Sequence, residues 1–209
     1  MAAGGQQGLV RDACLTVGNI IERELPGYVE GRPVTVVFDP PTDEQLEEAY
    51  KEGGIVVSVV WLDSSLSKAF QSTAMPIVHE EDEDGNICEF RTGAPQYVRS
   101  RFMITAWTKS SLDAQVATGS IMAHFLSFPN IEEEYIKGDS IRIQDTPSLD
   151  LEDVDMDGQM RLWELWNAGD SRTYRPSLVV ITTLRMDSMK RKMVRRVREK
   201  INVFRKVEG

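Results

Sequence analysis

Two periods of apolar residues alternate along the chain, and the switches between them mark out its elements. Val10, Ala13, Cys14, Val17, Ile20, Ile21 and Leu25 recur at helical spacing, which predicts a helix over 9–25 ended by Pro26-Gly27. Pro33 to Phe38 is a short β-rich run closed by Asp39-Pro40-Pro41. Residues 42–52 then read as a short acidic helix capped by Thr42 or Asp43. Ile55–Leu62 is apolar on both parities, so the expectation is a strand covered on both faces.

Residues 63–95 are polar, hold the acidic run Glu80–Asp84 and contain the turn signal Asp84-Gly85. They read as a long loop with a hairpin at its tip. Residues 96–109 form the clearest strand, with Val98, Phe102, Ile104 and Ala106 on one face and Arg99, Arg101, Met103, Thr105 and Trp107 on the other. A helix follows over 111–127, with Ser110 or Ser111 as its cap and Leu112, Val116, Met122, Ala123 and Leu126 directed inward. Phe128-Pro129 stops it. Ile141–Ile143 is a short strand candidate, and Thr146–Asp150 reads as turn. A short helix is expected over 158–167, a last strand over 174–186 and a basic amphipathic helix over 188–205.

Helices interposed between strands suggest an α+β, α/β-layer fold: one mixed sheet with helices packed on it. The expected organisation is a single domain over 1–187, with an acidic loop insertion at 64–95, and a basic helical extension over 188–209. No repeat of solenoid length recurs. Trp61, Trp107, Trp163 and Trp166 read as packing anchors.

Charge refines this picture. The 209 residues carry 24 Lys+Arg and 33 Asp+Glu, a net −9. Residues 185–209 alone hold 10 and 3, a net +7, and residues 1–184 hold 14 and 30, a net −16. An acidic body repels phosphate, so nucleic acid is not an expected partner. The apolar runs are too short to span a bilayer, and Met1–Gly8 lacks the cationic start and apolar core of a secretory signal. Cys14 and Cys88 form neither a disulfide framework nor a CxxC pair. These features fit a soluble, reduced, cytoplasmic protein with no membrane partner.

Chemistry-bearing motifs are few. His79 and His124 are the two histidines; the first sits in a polar loop and the second inside a predicted helix, where a packing role is expected. Phosphate loops, HExxH and GxSxG are absent from the sequence. No catalytic residue and no cofactor are expected. One template does fit: Asp153, Asp155, Asp157, Gly158 and Glu164 match D-x-[DN]-x-[DN]-G-x5-E. In a calcium loop the three aspartates, the Gln159 backbone carbonyl and Glu164 would supply the oxygens that the ion needs. The helix that should enter such a loop is missing, because Pro147 and the turn at 146–150 precede it. The other reading is an acidic helix N-terminus. A calcium-binding interaction module is therefore the alternative function.

The tail places Met189, Met193, Val197, Ile201 and Phe204 on one stripe, with Lys190, Arg191, Arg195, Arg198 and Arg205 mostly off it. Docking on the acidic body competes with binding a protein partner or a neighbouring subunit.

Order and spacing of four segments carry a resemblance. They are VTVVFDPPTDE at 34–44, IVVSVVWLD at 55–63, YVRSRFMITAWTKSSLDAQVATGSIMAHFLSFP at 97–129 and LWELWNAGDSRTYRPSLVVITTLRM at 162–186. Thr105-Ala106-Trp107, Phe128-Pro129, Leu165-Trp166-Asn167 and Tyr174-Arg175-Pro176-Ser177-Leu178 fall where the cap, or tail-terminator, proteins of contractile injection systems carry similar motifs. The chain resembles that family over roughly residues 9–186. The resemblance implies a non-enzymatic homohexameric ring at the baseplate-distal end of a phage-tail-like particle. Such a ring would bind inner-tube and sheath subunits, end their polymerisation and stabilise the extended sheath. The acidic loop and the basic tail depart from the family's pattern.

Overall fold

The structure, a computed structural model, describes residues 8–67, 77–81, 87–145, 147–155, 157–158, 160–161, 164, 175, 177–187 and 191–193. In chain order its elements are α1 (Leu9–Tyr28), β1 (Val34–Val37), α2 (Asp43–Lys51), β2 (Ile55–Leu66), β3 (Ile77–Glu81), β4 (Ile87–Thr92), β5 (Gln96–Trp107), α3 (Ser111–Ser127), β6 (Ser148–Leu151), β7 (Ser177–Met186) and β8 (Arg191–Met193). The chain forms two compact units, one of residues 1–71 and 96–186 and the other of 72–95 and 187–209.

The first unit is built on a five-stranded sheet in the order β1-β2-β5-β7-β6. β1 is parallel to β2, and the remaining pairs are antiparallel, so the sheet is mixed and the fold is α+β as expected. Its core lies on the face where α1 brings Ala13, Val17, Ile20 and Leu25 against Val57, Phe102, Ile104 and Val180, with Ile121 and Phe125 of α3 closing the layer. Burying each large aliphatic side chain contributes about 1.5–3 kcal/mol. On the opposite face Met103 and Val179 form a smaller cluster with Leu62 and Val154. The Trp107 indole N–H donates to Ser58 Oγ at 2.9 Å, and Arg175 stands 5.4 Å from its ring centre.

Several expectations change. Pro26 does not end α1, because it lies inside the helix. Leu25 and Val29 are buried on either side of it, and their burial offsets the roughly 3 kcal/mol that an interior proline costs. β2 continues past Leu62 to Leu66, with a bulge between Trp61 and Asp63 that seats Leu62 and Asp63 on one face. Trp61 is not core: it is 52% exposed, and its indole donates to Ser64 Oγ at 3.1 Å. Trp107 is buried as predicted, while Trp163 and Trp166 lie outside the described residues.

Ile141–Ile143 is not a strand; Ile143–Asp145 is a 310 turn. The strand forms at Ser148–Leu151 instead, where a turn was expected. β7 offers a free edge there, and Leu149 N–H also bonds to the Pro129 carbonyl at 2.7 Å. Thr42 caps α2 through a reciprocal capping box with Gln45. Residues 157, 158, 160, 161 and 164 are helical where the short helix over 158–167 was predicted.

In the second unit β3 and β4 form the expected antiparallel hairpin, and β8 pairs with β4, giving the order β3-β4-β8. The predicted helix over 188–205 therefore fails at 191–193, which is a strand hydrogen-bonded to Phe90–Thr92. Backbone partners along β4 satisfy this segment in extended form, which a helical side-chain stripe does not anticipate. The rest of 188–205 lies outside the described residues.

Candidate assembly surfaces

Among the described residues, no three His, Cys, Asp or Glu side chains come close enough to hold a metal ion. Asp153, Asp155, Asp157 and Glu164 are described and Gln159 is not. Asp155 Oδ1 instead accepts the Gly158 N–H at 2.8 Å, the bond of a carboxylate capping a helix start. Of the basic tail residues, the backbone of Arg191 lies in β8, and Lys190, Arg195, Arg198 and Arg205 are outside the described residues.

His79 is exposed, with Nδ1 3.6 Å from Glu89. His124 is 7% exposed and stands among Tyr28, Phe125 and Phe128, with ring centres 6.3, 6.0 and 5.0 Å away. The packing role expected of His124 holds, yet its Nδ1 is buried and has no hydrogen-bond partner among the described residues.

Sequence reading missed a polar ladder on α1. Asp12, Thr16, Asn19 and Arg23 recur at helical spacing on one stripe. Asp12 is fully buried and accepts the Ser140 N–H at 3.0 Å and two bonds from Arg11. Thr16 Oγ1 accepts the Lys137 N–H, Asn19 donates to the Tyr135 carbonyl, and Arg23 binds the Glu134 carbonyl and carboxylate. The ladder satisfies the irregular backbone of 134–140, which has no strand partner of its own. Burial pushes the Asp12 pKa up, but the bonds from Arg11 and Ser140 outweigh it and hold the carboxyl below its usual range. The Tyr135 hydroxyl donates to Glu24 at 2.5 Å, and this bond chiefly pushes its pKa up to about 12.

The outer face of α3 is the largest departure from prediction. Its buried residues are Ala114, Ala117, Ile121, His124 and Phe125. Leu112, Val116, Met122 and Leu126, expected inward, are 69%, 56%, 42% and 66% exposed, and Ala123 is exposed with them. The helix is apolar nearly all round, so either stripe could have been the core-facing one. The only ionisable side chains of α3 are Asp113 and His124, and Asp113 is held by Arg32 at 2.6 Å. A helix apolar on both faces, with charge depleted from the outer one, has the composition of an interface core.

Comparison with known proteins bears on what such a face meets. The family described as Pvc16 N-terminal domain matches residues 13–199. The chain belongs to the Pvc16 N-terminal domain family. Among solved structures, this Pvc16-type chain is similar to a sheath/tube terminator of an extracellular contractile injection system, PVC, in its extended state. The TM-score is 0.52 at 15% identity, covering 97% of this chain and 64% of that one. It is also similar to the tube-terminating cap of the anti-feeding prophage, with a TM-score of 0.59 at 17% identity, covering 90% of this chain and 60% of that one. The chain thus spans less than two thirds of either neighbour's length. No curated protein matches it. The likeness establishes the fold, and the sequence resemblance to terminator proteins agrees with it. One neighbour is a sheath/tube terminator and the other a tube-terminating cap.

Proposed function

We propose that this Pvc16-type chain is a structural terminator of a contractile injection system. In this reading it forms a homohexameric ring at the baseplate-distal end of the particle. The ring ends polymerisation of inner tube and sheath and stabilises the extended sheath. Membership of the Pvc16 N-terminal domain family over residues 13–199 is the observation that carries the reading. The two structural neighbours supply its terms, since one terminates sheath and tube and the other caps a tube.

The surface fits binding better than catalysis. A closed ring needs two different patches on each copy that meet head to tail. The first unit carries two separate exposed apolar groups: Leu112, Val116 and Leu126 on α3, and Trp61 with Leu66 at the end of β2. The outer edge of β1 is a further site for strand addition.

Deletion of the gene tests the reading directly. The expected result is tail-like particles of uncontrolled length that contract prematurely, seen by negative-stain microscopy and restored by the gene in trans. Particles of normal length and stability without the gene would refute it.

A further inference from the structure

The cleft between α1 and α3 has a partner-binding character that the fold alone does not use. A cavity of about 70 Å³ opens there, lined by Glu24, His124, Phe128, Glu132 and Tyr135 among others. One water needs about 10–15 Å³, so the space suits a head group of about five heavy atoms. Two carboxylates, Glu24 and Glu132, line it together with the rings of His124, Phe128 and Tyr135, and Glu24 also accepts the Tyr135 hydroxyl through Oε1. The buried, unpartnered Nδ1 belongs to His124, which lines the same cleft. A buried imidazole nitrogen without a partner is costly, and an incoming N–H donor would relieve it.

Charge and chemistry single out the occupant. Carboxylates beside aromatic faces recognise a lysine or arginine head through charge-assisted bonds and cation–π contact. The described chain ends at Met193, and residues 194–209 carry Arg195, Arg196, Arg198, Lys200, Arg205 and Lys206 against Glu199 and Glu208. The same segment has Val197, Ile201 and Phe204 as apolar residues. On α3, His124 lines the cavity and Ser120 a smaller adjoining pocket, and by helical geometry Val116 and Ala123 lie on the neighbouring exposed side. A basic segment with apolar residues therefore matches both the acidic notch and its apolar rim.

We propose that the cleft between α1 and α3 receives a basic side chain from residues 194–209 of a second copy of this chain. The contact deepens the cap reading, on which it rests, by naming one bond between copies, and it can fail while that reading stands.

Sedimentation velocity of the full chain over a range of concentration and salt tests it. Wild-type chain self-associates, and rising salt weakens the association. Glu132→Lys, an exposed change, and separately Arg195→Glu with Arg198→Glu, each weaken it at least tenfold while circular dichroism stays unchanged. Combining the two sets restores association to within about threefold of wild type, because the charges are exchanged and not lost. Val116→Ser, at the rim, weakens association without altering the fold.

Four results would overturn the proposal. Single reversals that leave the association constant unchanged are one. A combination no better than its parts is another. Loss of association in Val116→Ser with indifference to every charge reversal would mean that α3 meets an apolar face instead. Absence of self-association, with wild-type chain still binding tube or sheath ends, would also defeat the proposal but leave the terminator reading intact.

Discussion

Asp12 and Gly138 show how single residues hold the irregular part of this fold. Gly138 has φ +84°, a conformation that favours glycine, and a Cβ there would fall on the Asp12 carboxylate. Gly138→Ala is expected to destabilise the chain by about 2 kcal/mol or more, read from urea unfolding. Asp12→Asn removes the charge from a fully buried set of bonds and should cost on the order of 1–3 kcal/mol at neutral pH. The folded-state pKa of Asp12 lies below its ordinary 3.8, so its contribution is complete above that value and is lost as pH falls through the folded value. The gap between wild type and Asp12→Asn should therefore narrow in acid below about pH 4. A gap that stayed constant from pH 7 to 2 would contradict the assigned charge state.

Cys14 has the opposite bias. Burial, aided by the charge of Asp39, pushes its thiol up to about 11 from 9.0. In a Cys88→Ser background, alkylation of the native chain at pH 8 should run roughly 100-fold slower than in denaturant, because the thiolate is that much scarcer. Equal rates in the two conditions would show that the thiol is not sheltered.

Among the elements, α3 separates packing from periodicity. Ile121 is 3% exposed and belongs to the core, whereas Leu126 is 66% exposed. Ile121→Ala should cost about 2–5 kcal/mol in unfolding free energy. Leu126→Ser should change it by less than about 0.5 kcal/mol while impairing assembly into particles. If Leu126→Ser unfolds the isolated chain, its side chain is part of the core after all.

Spacing made α1, β5 and β7 legible, because each buries an apolar stripe of its own length, whereas α2 buries no residue and was legible from its Thr42 cap. β6 was not legible, since a four-residue strand beside Pro147 has too little pattern to outweigh the turn signals around it. Its formation depends on the β7 edge. The polar ladder of α1 escaped for a related reason. Asp12, Thr16 and Asn19 resemble surface residues until the loop at 134–140 covers them, although their regular spacing was a usable signal.

At the scale of the whole molecule, the chain is expected to assemble. Mass measurement of the purified chain at assembly concentration should reveal a closed oligomer, with six copies expected from the terminator reading. A strictly monomeric chain that binds neither tube nor sheath ends would count against it. In the terminator reading, the acidic body, −16 over residues 1–184, would repel like copies and the +7 of residues 185–209 would offset that repulsion with a complementary charge.

The sequence by itself determined the α+β class, most elements and the likeness to terminator proteins. Those features rest on local periodicity and on the order of short motifs, which no partner is needed to express. Tertiary structure alone decided which side of α3 faces inward, that Trp61 lies at the surface, and that 191–193 joins a sheet. It also decided that Asp155 Oδ1 accepts the Gly158 N–H at the start of the short helix. In each case the residues fit two environments almost equally well locally. The choice fell to which backbone edge or apolar surface the rest of the chain brought alongside.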